Sequence, residues 1–260
     1  VDRFSKPFLH SVFTAHPTFL LTRAESDSVA AAASQSPPGA IARGEEGAPR
    51  AAITLDFEHD EAMAAIARAQ KARDAIVGTL YDHAATQWPD QWTQWLPQPY
   101  RFATWVGYDM DGRTDISWAT SLRYRLAEKA ERLARYSADL AAIDADHPLL
   151  APLRAGEAHS RAMAALFTQD LTDPAALSAA ANQFTADDPA KLLSLKPMIA
   201  ALQAEAQSCA DAARTRALLV LAAAMHSDGL GMGWVHFRVN ASQLNNAIRR
   251  RIDPDATLDL

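Results

Sequence analysis

Hydrophobic positions follow helical spacing over most of the chain, and β-forming runs are short and few. From Leu55 to Tyr81, Phe57, Met63, Ile66, Ile76, Val77 and Leu80 fall at roughly helical spacing, with Asp56 as an expected N-cap. Ser117 to Ile143 predicts a second long helix, with Leu122, Leu126, Leu133 and Leu140 on one stripe and an Arg/Glu face opposite. An alanine-rich stretch from Phe19 to Ala33 also reads as helix. Two or three more helices follow, broken at His147-Pro148, Asp173-Pro174 and Asp188-Pro189, each proline near an expected helix start. The last of them, Ala190 to Met225, is expected to be interrupted or kinked near Pro197 and to close on a glycine C-cap at Gly229 to Gly233. Gln243 to Arg251 predicts a final helix.

Three short runs read as strands. Ser11 to Thr14 are β-formers stopped by Pro17, predicting a short buried strand and a turn. Phe102 to Val106 predicts a second strand, which ends in the Asp- and Gly-rich turn GYDMDGRTD. Val235 to Val239 predicts a third. Between them, Gln35 to Arg50 carries Pro, Gly and mixed charge and reads as a loop. Trp88, Trp92 and Trp95 lie among three prolines, a density that buries a domain corner or stacks a ligand. Strands separated by helices give a parallel β–α alternation, here swollen by helical insertion. Three strands do not close a barrel, which takes about eight, so the expectation is an open α/β sheet or one part of a barrel.

Composition narrows the function classes. The 260 residues are 49% hydrophobic and 22% charged, the range of a soluble globular protein. A net charge of -6 argues against nucleic acid as a main partner, which needs a basic face. It leaves room for a small anion held by a local arginine cluster. A single cysteine, Cys209, in a helical stretch reads as a small packed residue and forms no internal disulfide, as expected in a reducing compartment. The first ten residues lack the apolar run of a signal peptide, and the most apolar stretch, Ala217 to Met225, is too short to span a bilayer. A cytoplasmic location and no membrane partner are the expectation.

Three segments carry candidate chemistry. Thr14 to Thr18 places His16 at the end of the first strand, where parallel α/β folds gather catalytic groups. There a histidine carries protons or partners an anion, or simply caps and packs. Gly107 to Arg113 offers Asp109 and Asp111 in an Asp-x-Asp-Gly turn, which suits a divalent cation or an Asx turn without one. It lacks the further oxygens and later glutamate of a calcium loop. In Trp234 to Gln243, period two puts His236, Arg238, Asn240 and Ser242 on one strand face. Such a face lines a polar cavity or meets water.

In this order the three segments resemble phosphoenolpyruvate carboxylase. FTAHPT at Phe13 to Thr18 is similar to the family's TAHPT strand, with His16 at the catalytic histidine position and Thr18 beside it. WVGYDMDG at Trp105 to Gly112 is similar to WMGGDRDG, and Gly233 to Gln243 falls where the family has FGLHLASLDLRQ. The resemblance spans nearly the whole chain. It departs at Phe19, where the family has Glu or Gln, and at Thr22–Arg23, where it often has paired arginines tied to anion binding. Met110 replaces the family's arginine, Arg113 its asparagine, and Asn240 and Ser242 its Asp and Arg. Arg238 or Arg113 is the expected substitute for the arginine that touches substrate phosphate.

The resemblance implies a mainly α fold with a few parallel strands, the N-terminal part of a helix-rich (β/α)8 TIM barrel. Residues 1–116 would hold the first two barrel strands with their helices, 117–228 a helical insertion, and 229–260 the third strand and its helix. The implied reaction is carboxylation of phosphoenolpyruvate by bicarbonate to oxaloacetate and phosphate. Bicarbonate attacks the phosphoryl group, and the enolate then attacks the carbon dioxide released. His16 would be catalytic; Arg23, Arg113, Arg238 and Ser242 would bind substrate; Thr18, Asp109, Asp111 and Asn240 would support them. Mg2+ is the implied cofactor, with its ligands outside this chain, so these 260 residues alone are expected to be inactive. The full-length protein is expected to be a homo-oligomer. The alternative is a non-catalytic relative, a helical binding or regulatory module that kept the scaffold.

Overall fold

The computed structural model describes residues 4–14, 23–35, 54–111 and 113–252. Among them lie eight α-helices and three strands: β1 (Leu9–Phe13), α1 (Arg23–Ala33), α2 (Leu55–Gln87), β2 (Tyr100–Thr104), α3 (Trp118–Ile143), α4 (Leu150–Leu166), α5 (Pro174–Thr185), α6 (Lys196–Ser208), α7 (Ala212–Asp228), β3 (Trp234–Val235) and α8 (Ala241–Ile252). The protein is mainly helical with one small parallel sheet, in the order β1-β2-β3. Leu9 to Phe13 pairs in register with Tyr100 to Thr104, and Ala103 and Thr104 pair with Trp234 and Val235.

Local chemistry sets the helix ends. Thr54, not Asp56, caps α2, its hydroxyl accepting from the Phe57 N–H at 3.2 Å. The helix continues six residues past the expected Tyr81 because His-Ala-Ala-Thr-Gln forms helix well and Pro89 is the first breaker. Ser117 caps α3, and Asp173 and Asp211 cap α5 and α7 through paired N–H bonds. The span from Ala190 to Met225, expected to be interrupted or kinked near Pro197, is two helices whose break falls further on. Residues 190–195 are not helical, Pro197 sits in the first turn of α6, and the chain breaks at Cys209 to Asp211 before α7. Asp211 prefers to cap a new helix over extending the old one. Gly229 closes α7 at φ 63°, the left-handed conformation glycine supplies.

The larger core joins α2, α3, α4, α6 and α7 through Tyr81, Leu133, Tyr136, Leu140, Leu153, Leu202 and Leu218. A smaller one lies between α2 and the sheet: Met63 and Ile66 pack on Phe102, Val106 and Met232, with Phe13 alongside. Alternation along the strands gives the sheet two unlike sides. Phe13, Phe102 and Thr104 turn towards α2. His10, Val12, Arg101 and Trp234 share the other side. β1 was expected to be buried and is exposed along most of its length; it is the edge strand of the described sheet, and even Leu9, on the α2 side, is 48% exposed.

Gly107 is a second position that demands glycine. Its φ is 86°, and an added Cβ would meet the Tyr124 ring. Gly107→Ala is expected to cost about 1–3 kcal/mol, read as a lower urea midpoint. An unchanged midpoint would mean that the turn relaxes freely.

Candidate functional site

β2 runs out at Thr104 because Thr104 Oγ1 takes the Val106 N–H and the chain then turns through Gly107. Pairing with the third segment resumes beyond the turn. The Arg238 N–H donates to the Tyr108 carbonyl at 3.1 Å, and the Met110 N–H to the Arg238 carbonyl at 3.0 Å. This interruption corrects the expected strand over Val235 to Val239: β3 is only Trp234–Val235, followed by one isolated bridge, Asp109 to Arg238. Asn240 and Ser242 therefore do not alternate on that strand. Ser242 lies in the first turn of α8, its N–H donating to the Asn240 side-chain oxygen at 2.8 Å.

The bridge brings two of the three segments together through side chains as well. Arg238 donates to Asp109 Oδ2 at 2.9 Å, and the Asn240 amide to Asp111 Oδ1 at 3.2 Å. The Arg238 guanidinium also lies over the Trp105 ring, 5.5 Å from its centre. Asp109 Oδ1 is buried without a hydrogen-bond partner among the described residues. It is a free acceptor at the carboxyl end of the sheet, where parallel folds gather ligands.

The remaining expected residues divide. His16 and Thr18 lie outside the described residues. Arg23 opens α1. Arg113 sits between two carboxylates, donating to Glu58 and to Asp115 at 2.6 Å each. Hydrogen bonds from both raise its pKa above the ordinary arginine value, and the same contact lowers that of Asp115. Its charge is thus matched locally, unlike that of a cation reserved for a ligand. Glu58, invisible as a partner in the sequence, is what holds it.

Behind the turn, a buried polar network supports this rim. Glu128, its side chain 1% exposed, accepts from Tyr108 Oη at 2.6 Å, lies 3.1 Å from His59 Nε2, and accepts from Arg125 at 3.1 Å. Burial first, then Glu128, pushes the Tyr108 pKa up, so it stays a donor. Tyr124 stacks on His59 at 4.0 Å and donates to Asp56 at 2.5 Å, which with Arg123 lowers the Asp56 pKa. Tyr108 precedes Asp109, so this network fixes the backbone that carries the rim.

Among the described residues no three His, Cys, Asp or Glu side chains converge to hold a metal ion. Asp109 and Asp111 are engaged by Arg238 and Asn240 instead, so the residues present here do not form a magnesium site. No helix among them is long and apolar enough to cross a membrane. Comparison with protein-family models, with curated proteins and with solved structures found no match to this chain.

Proposed function

We propose that this chain is the N-terminal part of a phosphoenolpyruvate carboxylase, a segment of a (β/α)8 barrel that supplies one portion of the active-site rim. The carrying observation is the sheet. Three parallel strands lie side by side in chain order, α2 covers one side, and the other side carries His10, Arg101 and Trp234, with His10 and Trp234 exposed. Parallel sheets are ordinarily covered on both faces. A polar inner face closed by further strands accounts for this one.

The rim supports the same reading. The Asp109–Arg238 and Asp111–Asn240 pairs join the segments that resemble the family's second and third motifs. His16 follows the last residue of β1 by three positions in the sequence, and Asp109 Oδ1 is without a hydrogen-bond partner among the described residues. In this arrangement His16 holds or moves a proton at the carboxylation centre, and Arg238 answers the charge of the phosphate. Asp109 competes for Arg238 until substrate arrives. Cytoplasmic location, homo-oligomerisation and a magnesium requirement belong to the same proposal, with the metal ligands supplied by residues outside this chain.

The test is oxaloacetate formation by the full-length protein from phosphoenolpyruvate and bicarbonate with Mg2+, followed by coupled reduction. Turnover that depends on both substrates is expected; none at saturating substrate would overturn the proposal. A non-catalytic relative is the second reading, favoured by the engagement of Arg113 and Arg238 by carboxylates. Calorimetry separates the two, since that scaffold releases no heat with phosphoenolpyruvate and His16→Ala changes nothing.

A further inference from the structure

The second side of the sheet brings one guanidinium and two imidazole rings together with no described carboxylate on them. His10 on β1 stands opposite Arg101 on β2 in the ladder, so both point to this side. His236, just beyond β3, brings its ring to 5.3 Å from that of His10. The Arg101 guanidinium lies flat on the Trp234 ring, 3.9 Å from its centre. This stacking fixes the plane of the fork and leaves its edge free. Arg101 Nε is buried without a hydrogen-bond partner, and no described carboxylate pairs with Arg101, His10 or His236. Elsewhere in the described residues arginines meet acids: Arg73 and Arg132 on Asp228, Arg113 on Glu58, Arg214 on Asp144 and Glu205. The contrast marks this cluster.

We infer that Arg101, His10 and His236, against the Trp234 ring, form a binding shelf for a phosphate-type oxyanion. A guanidinium fork and two imidazoles present more donors than a carboxylate's two oxygens accept in one plane, and a tetrahedral oxyanion has an oxygen for each. Burial first, and then the charges of His236 and Arg101, hold the His10 pKa below its ordinary value. An anion between them removes that repulsion. The site stands on the contacts within the sheet face, which the carboxylase reading places inside the barrel, and not on the Asp109–Arg238 pair at the rim.

The experiment follows histidine ring resonances of this chain during titration with inorganic phosphate at fixed pH and ionic strength. His10 and His236 are expected to shift saturably, while the exposed helix residues His83 and His226 follow only bulk effects. Arg101→Gln is expected to weaken binding about tenfold. His10→Gln, at an exposed strand position and read at His236, should weaken it as well and carries the test if Arg101→Gln fails to fold. A parallel titration with methyl phosphate separates sources: equal affinity assigns the shelf to phosphomonoesters, and weaker affinity assigns it to free phosphate. Shifts at His10 and His236 no larger than at His83 and His226, or unchanged titration of both variants, would overturn the inference. Loss of carboxylation with this titration intact would sink the proposed function and leave the shelf standing.

Discussion

His16→Ala in the full-length protein is expected to lower the rate of oxaloacetate formation by 10²- to 10⁴-fold, the usual worth of a positioned proton carrier. The loss should fall on kcat and leave phosphoenolpyruvate binding largely intact, because the proposed reaction assigns phosphate recognition to arginine. Arg238→Gln should do the reverse and raise KM first. Steady-state kinetics with the coupled assay separates the two. Equal losses in both parameters for both variants would mean that the residues hold the fold and not the reaction.

The largest expected effect on stability lies at Asp228. This carboxylate, 3% exposed, receives Arg73 at 2.5 and 2.9 Å and Arg132 at 2.7 Å, and so locks α2 and α3 onto the end of α7. Arg73 also donates to Ser227 and pairs with Asp74, and Arg132 donates to Gln70. Removing the shared carboxylate strands Arg132 and leaves Arg73 with Asp74 alone, and breaking a buried pair costs about 3–5 kcal/mol. Asp228→Ala should therefore lower the free energy of unfolding by an amount in that range, read as a lower urea midpoint. Asp228→Asn, which keeps the shape and one acceptor, should cost less. A midpoint within error of the parent would show that water reaches and solvates both guanidinium groups.

How much of this was legible in the chain depended on the range of the interactions. Helical spacing located α2 and α3, and β-forming runs located β1 and β2, because those signals are local. The third strand was overextended, since nothing local reports that Thr104 Oγ1 would capture the Val106 N–H and break the facing ladder. The break between α6 and α7 was missed for a readable reason: Asp211 is a capping residue inside an alanine-rich run that otherwise reads as helix. The meeting of the Asp109 turn with Arg238 followed from placing both segments at the ends of neighbouring parallel strands. The supporting network did not follow. Arg73 and Asp228 are 155 positions apart, and His59 and Glu128 are 69 apart, so no spacing rule pairs them. Arg101 was readable in part: period two along β2 puts it on the side away from Phe102, facing no described core.

The convergence of His16 with the Asp109–Arg238 pair is the geometry on which carboxylation by this protein would depend. A nitroxide attached at Val239→Cys, in a Cys209→Ser background, reports it through broadening of the His16 ring protons. Strong broadening at His16 is expected, with His83 on the far part of α2 unaffected. A sharp His16 signal in the labelled, folded protein would place that ring away from the rim and contradict the assignment.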